Sequence, residues 1–130
     1  MEDKKNMTID LNTTGSFWLD NDGNYWSYRT QLTCNYNGYR LVNNTFYSMT
    51  TRKHQAQINR TSRDILIDVG HYGYMKPEED LQANLKLEQD RLIELEHARN
   101  SKNKQKKIDS CKQQITLIQK ALTRDLVGVA

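Results

Sequence analysis

The sequence predicts an α+β protein: a small antiparallel β-meander with a packing helix, followed by an antiparallel, coiled-coil-like helical hairpin. Two contrasts carry that expectation. The seven Tyr, two Trp and two Phe all lie between Phe17 and Tyr74, interspersed with Asn, Thr and Gly. From residue 77 to residue 123 the chain is instead rich in Leu, Ile, Lys, Glu and Gln and has no Gly. Aromatic and β-branched side chains suit a pleated surface, and long unbranched ones lose little rotamer freedom in a helix. The predicted organisation is a flexible N-terminus over 1–15, a sheet plus helix over 16–74, a helical arm over 75–123 and a tail over 124–130. At 130 residues with 36% hydrophobic content, the chain can fill one small core but not enclose a roomy substrate cavity.

The first predicted strand is Ser16–Leu19, and Asn21-Asp22-Gly23 turns it into a long aromatic run, Tyr25–Cys34. Asp-Gly between such runs is a hairpin signal because primed turns need positive φ. Alternation puts Trp26, Tyr28, Leu32 and Cys34 on the core side, with Tyr25, Ser27, Arg29 and Gln31 outward. Asn37-Gly38 makes a second turn of the same chemistry, giving strands at Tyr39–Val42 and, after Asn43-Asn44, at Thr45–Met49. Such a meander has one apolar face that must be covered. The expected cover is a helix capped by Thr50 or Thr51 and running from Arg52 toward Gly70, with Ile58, Ile65, Leu66 and Val69 at helical spacing; Ile65, Ile67 and Val69 fit a short strand as well, so residues 61–72 stay open between helix and strand.

The arm is clearer. Pro77 followed by Glu78, Glu79 and Asp80 is a helix start, with a ring that needs no N–H and carboxylates at the positive end of the dipole. Leu81, Leu85, Leu92 and Leu95 recur along one helix, and Ile108, Cys111, Ile115, Ile118 and Leu122 along a second, joined near 100–103. Paired antiparallel, Leu95 faces Ile108, Leu92 faces Cys111, Leu85 faces Ile118 and Leu81 faces Leu122, with Glu88 a polar flaw opposite Ile115. Cys34 and Cys111 read as reduced, buried thiols, since their placement does not suggest a disulfide-stapled domain.

The chain offers no catalytic constellation. His54, His71 and His97 fall in three segments without ligand spacing, and no Gly-rich phosphate loop or nucleophile elbow occurs. No catalytic residue, metal site or cofactor is expected, and an enzyme is not. The net charge of +3 is too mild to imply nucleic acid by itself, so its distribution matters more. Two segments stand out as partner-binding candidates. One is Tyr47, Ser48, Thr50, Thr51, Arg52, Lys53, His54 and Gln55 at a strand-to-helix junction, where N–H groups and cations meet; the alternative is that the hydroxyls only cap and that His54 and Gln55 only tie helix to sheet. The other is Arg99, Lys102, Lys104, Lys106 and Lys107, five cations in nine residues at the hairpin bend, suited to a phosphate backbone or an acidic groove unless they serve only solubility. Surplus tyrosines on the sheet add stacking surface.

The aromatic meander ending in Tyr47, Ser48, Thr50, Thr51, His54 and Gln55 resembles a group of short phage and prophage proteins of unassigned function that carry a Tyr-Ser-x-Thr-Thr-x-x-His-Gln segment. The likeness spans about residues 25–58 and leaves out the arm. It implies a phage accessory product in the cytoplasm of a bacterial host, consistent with the lack of a signal-like apolar stretch. By analogy of setting and size, the expected function is non-enzymatic binding and inhibition of a host defence nuclease complex, as anti-CRISPR proteins do. The expected partner is a host protein or ribonucleoprotein nuclease, with nucleic-acid backbone as a further contact and no membrane; the chain itself is monomeric or homodimeric. A direct nucleic-acid-binding phage regulator is the alternative.

Overall fold

A computed structural model describes residues 9–10 and 16–123. Apart from Ile9 and Asp10, the segments expected to be a flexible N-terminus and a C-terminal tail lie outside the described residues. The architecture is α+β, with antiparallel strands, a packing helix and an antiparallel helical hairpin. The elements are β1 (Ile9–Asp10), β2 (Phe17–Leu19), β3 (Tyr25–Ser27), β4 (Thr30–Gln31), β5 (Thr33–Tyr36), β6 (Tyr39–Asn43), α1 (Met49–Ala56), β7 (Asp64–Ile67), α2 (Pro77–His97) and α3 (Lys104–Thr123). Strands β1 to β4 form one antiparallel sheet in that order, and β5, β6 and β7 form a second, in which β6 and β7 run parallel.

The expected single meander is thus divided, and the division begins at Tyr28. Tyr28 adopts φ 56, and the chain reverses over Tyr28 and Arg29, so that Ser27 pairs with Thr30. That reversal interrupts the alternation along Tyr25–Cys34. Trp26, Leu32 and Cys34 are buried as expected, but Tyr28 is exposed, while Ser27 and Gln31 turn inward. Their polar groups are satisfied there: Ser27 by Thr51 and His54, and Gln31 by the Met75 N–H and the Thr33 carbonyl. The Asn37-Gly38 turn forms as its sequence requires, with φ 51 and 85 at its two central residues.

Thr45–Met49 is not a strand. Asn43 organises the segment instead, donating to the Gln31 carbonyl and the Tyr47 hydroxyl and accepting from the Thr45 N–H. Thr45 Oγ1 in turn accepts from the N–H groups of Val69 and Gly70 and donates to Asp68. Helix α1 is capped by Ser48, two or three residues earlier than expected, and ends at Ala56 rather than near Gly70. Residues 59–63 offer no apolar face to prolong a helix, and Asp64, Ile65 and Ile67 find their place beside β6. Within 61–72 the strand alternative holds for Asp64–Ile67, and the expected helix does not extend into this stretch. At its start Asp64 binds Arg40 at 2.7–2.9 Å. Burial alone would raise the Asp64 pKa, but the hydrogen bonds from Arg40 and Thr61 outweigh it and hold the carboxyl below its usual range.

Two cores result. Helix α1 covers the first sheet, where Phe17, Leu32 and Ile58 cluster. The second sheet is covered by the base of the hairpin. Cys34, Leu41, Ile65 and Ile67 pack with Leu81 of α2 and with Ile118 and Ala121 of α3, and Leu85, Leu117 and Leu122 border them. The open edge of β7 is closed by side chains, since Asn84 bonds both the N–H and the carbonyl of Asp68, and Gln114 donates to the Leu66 carbonyl. The hairpin is therefore rooted in the sheet, and its outer half, beyond these contacts, carries the bend at 98–103. Among the described residues no helix is long and apolar enough to cross a membrane.

Candidate functional site

The outer half of the hairpin and the segment leading into α1 form the two walls of an open cleft of about 1060 Å³. On one wall, Asn44, Thr45, Phe46 and Arg52 meet the end of β7 at Leu66, Ile67 and Asp68. Asn43 and Gln55 fix the backbone here, Gln55 Nε2 donating to the carbonyls of Asn43 and Thr45 at 2.7 and 2.9 Å. With that backbone held, Arg52 donates to the Asn44 side-chain oxygen at 3.0 Å and to its carbonyl at 3.2 Å. Its guanidinium lies 5.6 Å from the centroid of the Phe46 ring.

The facing wall comes from helical stripes. Glu88, Arg91 and Leu95 follow one another at steps of three and four on α2, as do Lys107, Ser110 and Gln114 on α3, with Lys106 and Cys111 beside them and Asn103 just before the helix. Four cations, Arg52, Arg91, Lys106 and Lys107, thereby line one cleft with two acids, Asp68 and Glu88. Both acids are engaged. Asp68 accepts from Thr45, and Glu88 lies 3.7 Å from Arg91 while accepting from the Cys111 thiol at 3.3 Å. Lys106 and Lys107 are exposed and form no ion pair among the described residues. The surplus of positive charge is thus on the hairpin side and faces open solvent.

Glu88 meets Cys111, whose thiol also donates to the Glu88 carbonyl at 3.1 Å. That places Glu88 one helical turn from the Ile115 position expected opposite it. Burial, then the Glu88 carboxylate, push the Cys111 thiol up to about 11. Burial and the nearby Asp80 charge raise Cys34 to about 12, so both thiols stay protonated and unreactive.

The structure sorts the sequence candidates. Arg52, Lys106 and Lys107, from both expected segments, come together in the cleft. Thr51, His54 and Gln55 face inward and Ser48 caps α1, so the tying role holds for them. Tyr47 donates to the His71 carbonyl at 2.6 Å. Thr50 and Lys53 are exposed away from the cleft lining, as are Arg99 and Lys102. Lys104 folds back on the carbonyls of Ala98 and Glu96, closing the end of α2. Sequence reasoning missed Phe46, Asn44 and Arg91. The stripe containing Arg91 could have been found by following the three-four spacing around α2; the closeness of Phe46 to it could not.

His54 is 4% exposed, stacked on Phe17 at 5.0 Å with Nδ1 2.7 Å from the Ser27 hydroxyl. Ser27 is 1% exposed, so this Ser-His contact is a buried tie. Burial lowers the His54 pKa from 6.5, and its contacts with Ser16, Ser27, Phe17 and Tyr28 are to hydroxyls and rings. On acidification below about 6.5 the unfolded chain therefore binds a proton at this position before the folded one does, and stability falls with falling pH. Thermal unfolding between pH 7.5 and 5.5 should show a decrease that flattens in His54→Gln. An unchanged slope in the variant would remove His54 from the account. Loss of the Arg40–Asp64 pair belongs to a separate, lower window, below the ordinary carboxylate value of 3.8.

No known protein family, no curated protein and no solved structure matches the chain, so the cleft is read on its own chemistry.

Proposed function

We propose that the chain is a non-enzymatic phage accessory protein that binds and inhibits a ribonucleoprotein nuclease of bacterial defence, in the manner of an anti-CRISPR protein. The observation that supports this reading is the convergence of Arg52 with Arg91, Lys106 and Lys107 in one cleft. A second feature points the same way. Lys106 and Lys107, which the structure gives no such stabilising bond as Lys104 has, sit in the first turn of α3, which has no acidic residue. Cations at the positive end of a helix dipole work against the helix, and a local choice that opposes stability marks a functional position. Such a surface does not imitate nucleic acid, because its charge has the opposite sign. It takes hold of nucleic acid, or of an acidic face, on the nuclease complex.

The test uses the full chain as bait in lysate of a defence-competent host, followed by cleavage assays with the purified effector that copurifies. Retention of a CRISPR-type ribonucleoprotein and a drop of at least about tenfold in its cleavage rate is expected. No retained ribonucleoprotein, together with unimpaired cleavage across a panel of purified effectors, would overturn the reading.

A further inference from the structure

The cleft carries more information than its sign. Its volume, about 1060 Å³, lies at the upper limit of the roughly 300–1,000 Å³ typical of small-molecule sites, and it is open rather than enclosed. That suits a length of polymer passing through better than a small anion held within. The polymer must bring negative charge, since Lys106 and Lys107 have no ion-pair partner among the described residues and the two acids of the cleft are already engaged. Hydrogen-bonding groups are available as well: among the described residues the side chains of Asn103 and Ser110, both in the lining, have no partner within the chain.

Phe46 narrows the choice. It is 57% exposed in the cleft lining, an unusual place for a large apolar ring. Arg52 sits over the ring, and Asn44 holds Arg52 by two hydrogen bonds. A planar ring backed by a fixed guanidinium, more than half exposed and lining the cleft, is a stacking platform prepared before any ligand arrives. Bases in a duplex are stacked on one another and unavailable to such a platform, whereas those of a single strand can be splayed onto it.

Resting on the reading of the cleft as the contact with a ribonucleoprotein, we propose that its occupant is a single-stranded phosphodiester chain displayed by that complex. Its phosphates lie along Arg52, Lys106 and Lys107, and one base stacks on Phe46. An acidic peptide shares the charge but supplies no recurring planar group for the ring.

The experiment titrates the full chain into fluorescein-labelled uridine and thymidine decamers, with anisotropy read across a sodium chloride series. Binding at low salt is expected, with log K falling against log salt at a slope of about −2 to −3, for three to four phosphates at about 0.7 each. Lys106→Glu with Lys107→Glu should flatten that slope by about 1.4. Phe46→Ala should weaken binding about tenfold and leave the slope alone. The inference is overturned if neither decamer binds at low salt, if binding ignores all three substitutions, or if a labelled Glu/Asp peptide binds in their place. Failure to bind the decamers alongside intact nuclease inhibition would sink this inference and spare the proposed function. Decamer binding of the expected form without inhibition of any effector would sink the function and leave the strand as the ligand of the cleft.

Discussion

Ile118→Ala is expected to destabilise the whole protein by about 2–5 kcal/mol, the range for emptying a fully buried aliphatic site. Ile118 is 0% exposed and belongs to the core that joins α3 to β5, β6 and β7. The informative probe is tryptophan fluorescence, because Trp18 and Trp26 both lie in the first sheet, far in sequence from the substitution. That sheet is continuous with the second through backbone bonds from Leu32 to Tyr25 and from Asn43 to Leu32, and Gln31 ties it to Met75. Denaturant midpoints from fluorescence and from far-ultraviolet dichroism should therefore fall together. If the helical signal moved while the tryptophan signal stayed, the hairpin would be an independent appendage and its rooting in the sheet would be wrong.

Lys106→Glu with Lys107→Glu is expected to reduce nuclease inhibition by about 100-fold, because two attractive contacts become repulsive within one cleft. The same change should leave stability within about 0.5 kcal/mol of wild type, since both side chains are exposed and without an ion pair among the described residues, and should favour α3 by placing carboxylates near its positive end. Lys104 is left intact because it closes the end of α2, and reversing it would confuse folding with binding. Lys102→Glu, on the same bend but outside the cleft, supplies the comparison and should have little effect. Equal losses from Lys102 and from the Lys106–Lys107 pair would mean that bend charge in general matters and the cleft does not.

Much of the fold was legible because its signals are local. The Asn37-Gly38 turn, the start of α2 at Pro77 and the three-four spacing of Leu and Ile in the hairpin each act over a few residues, and each forms as read. What escaped depended on distant partners. Nothing near Tyr28 announces that it will adopt a left-handed conformation; the reversal is sustained by Ser27 reaching α1 and Gln31 reaching Met75. Ile65 and Ile67 fit either a helix or a strand, and only the edge of β6 decides between them. The candidate site divides in the same way. Both cationic segments were visible in the sequence, but a cleft is a property of two surfaces, and its formation rests on Asn84 and Gln114 reaching across to β7.

Amide spectra of the labelled full chain, titrated with the uridine decamer at low salt, test most directly whether residues so far apart in sequence form one site. The expected result is that signals from Asn44, Phe46 and Arg52 move together with those of Arg91, Lys106 and Lys107 along a single isotherm, while Trp18 and Tyr25 in the first sheet stay still. Movement confined to the bend at 98–103, or two groups titrating at different midpoints, would contradict the account.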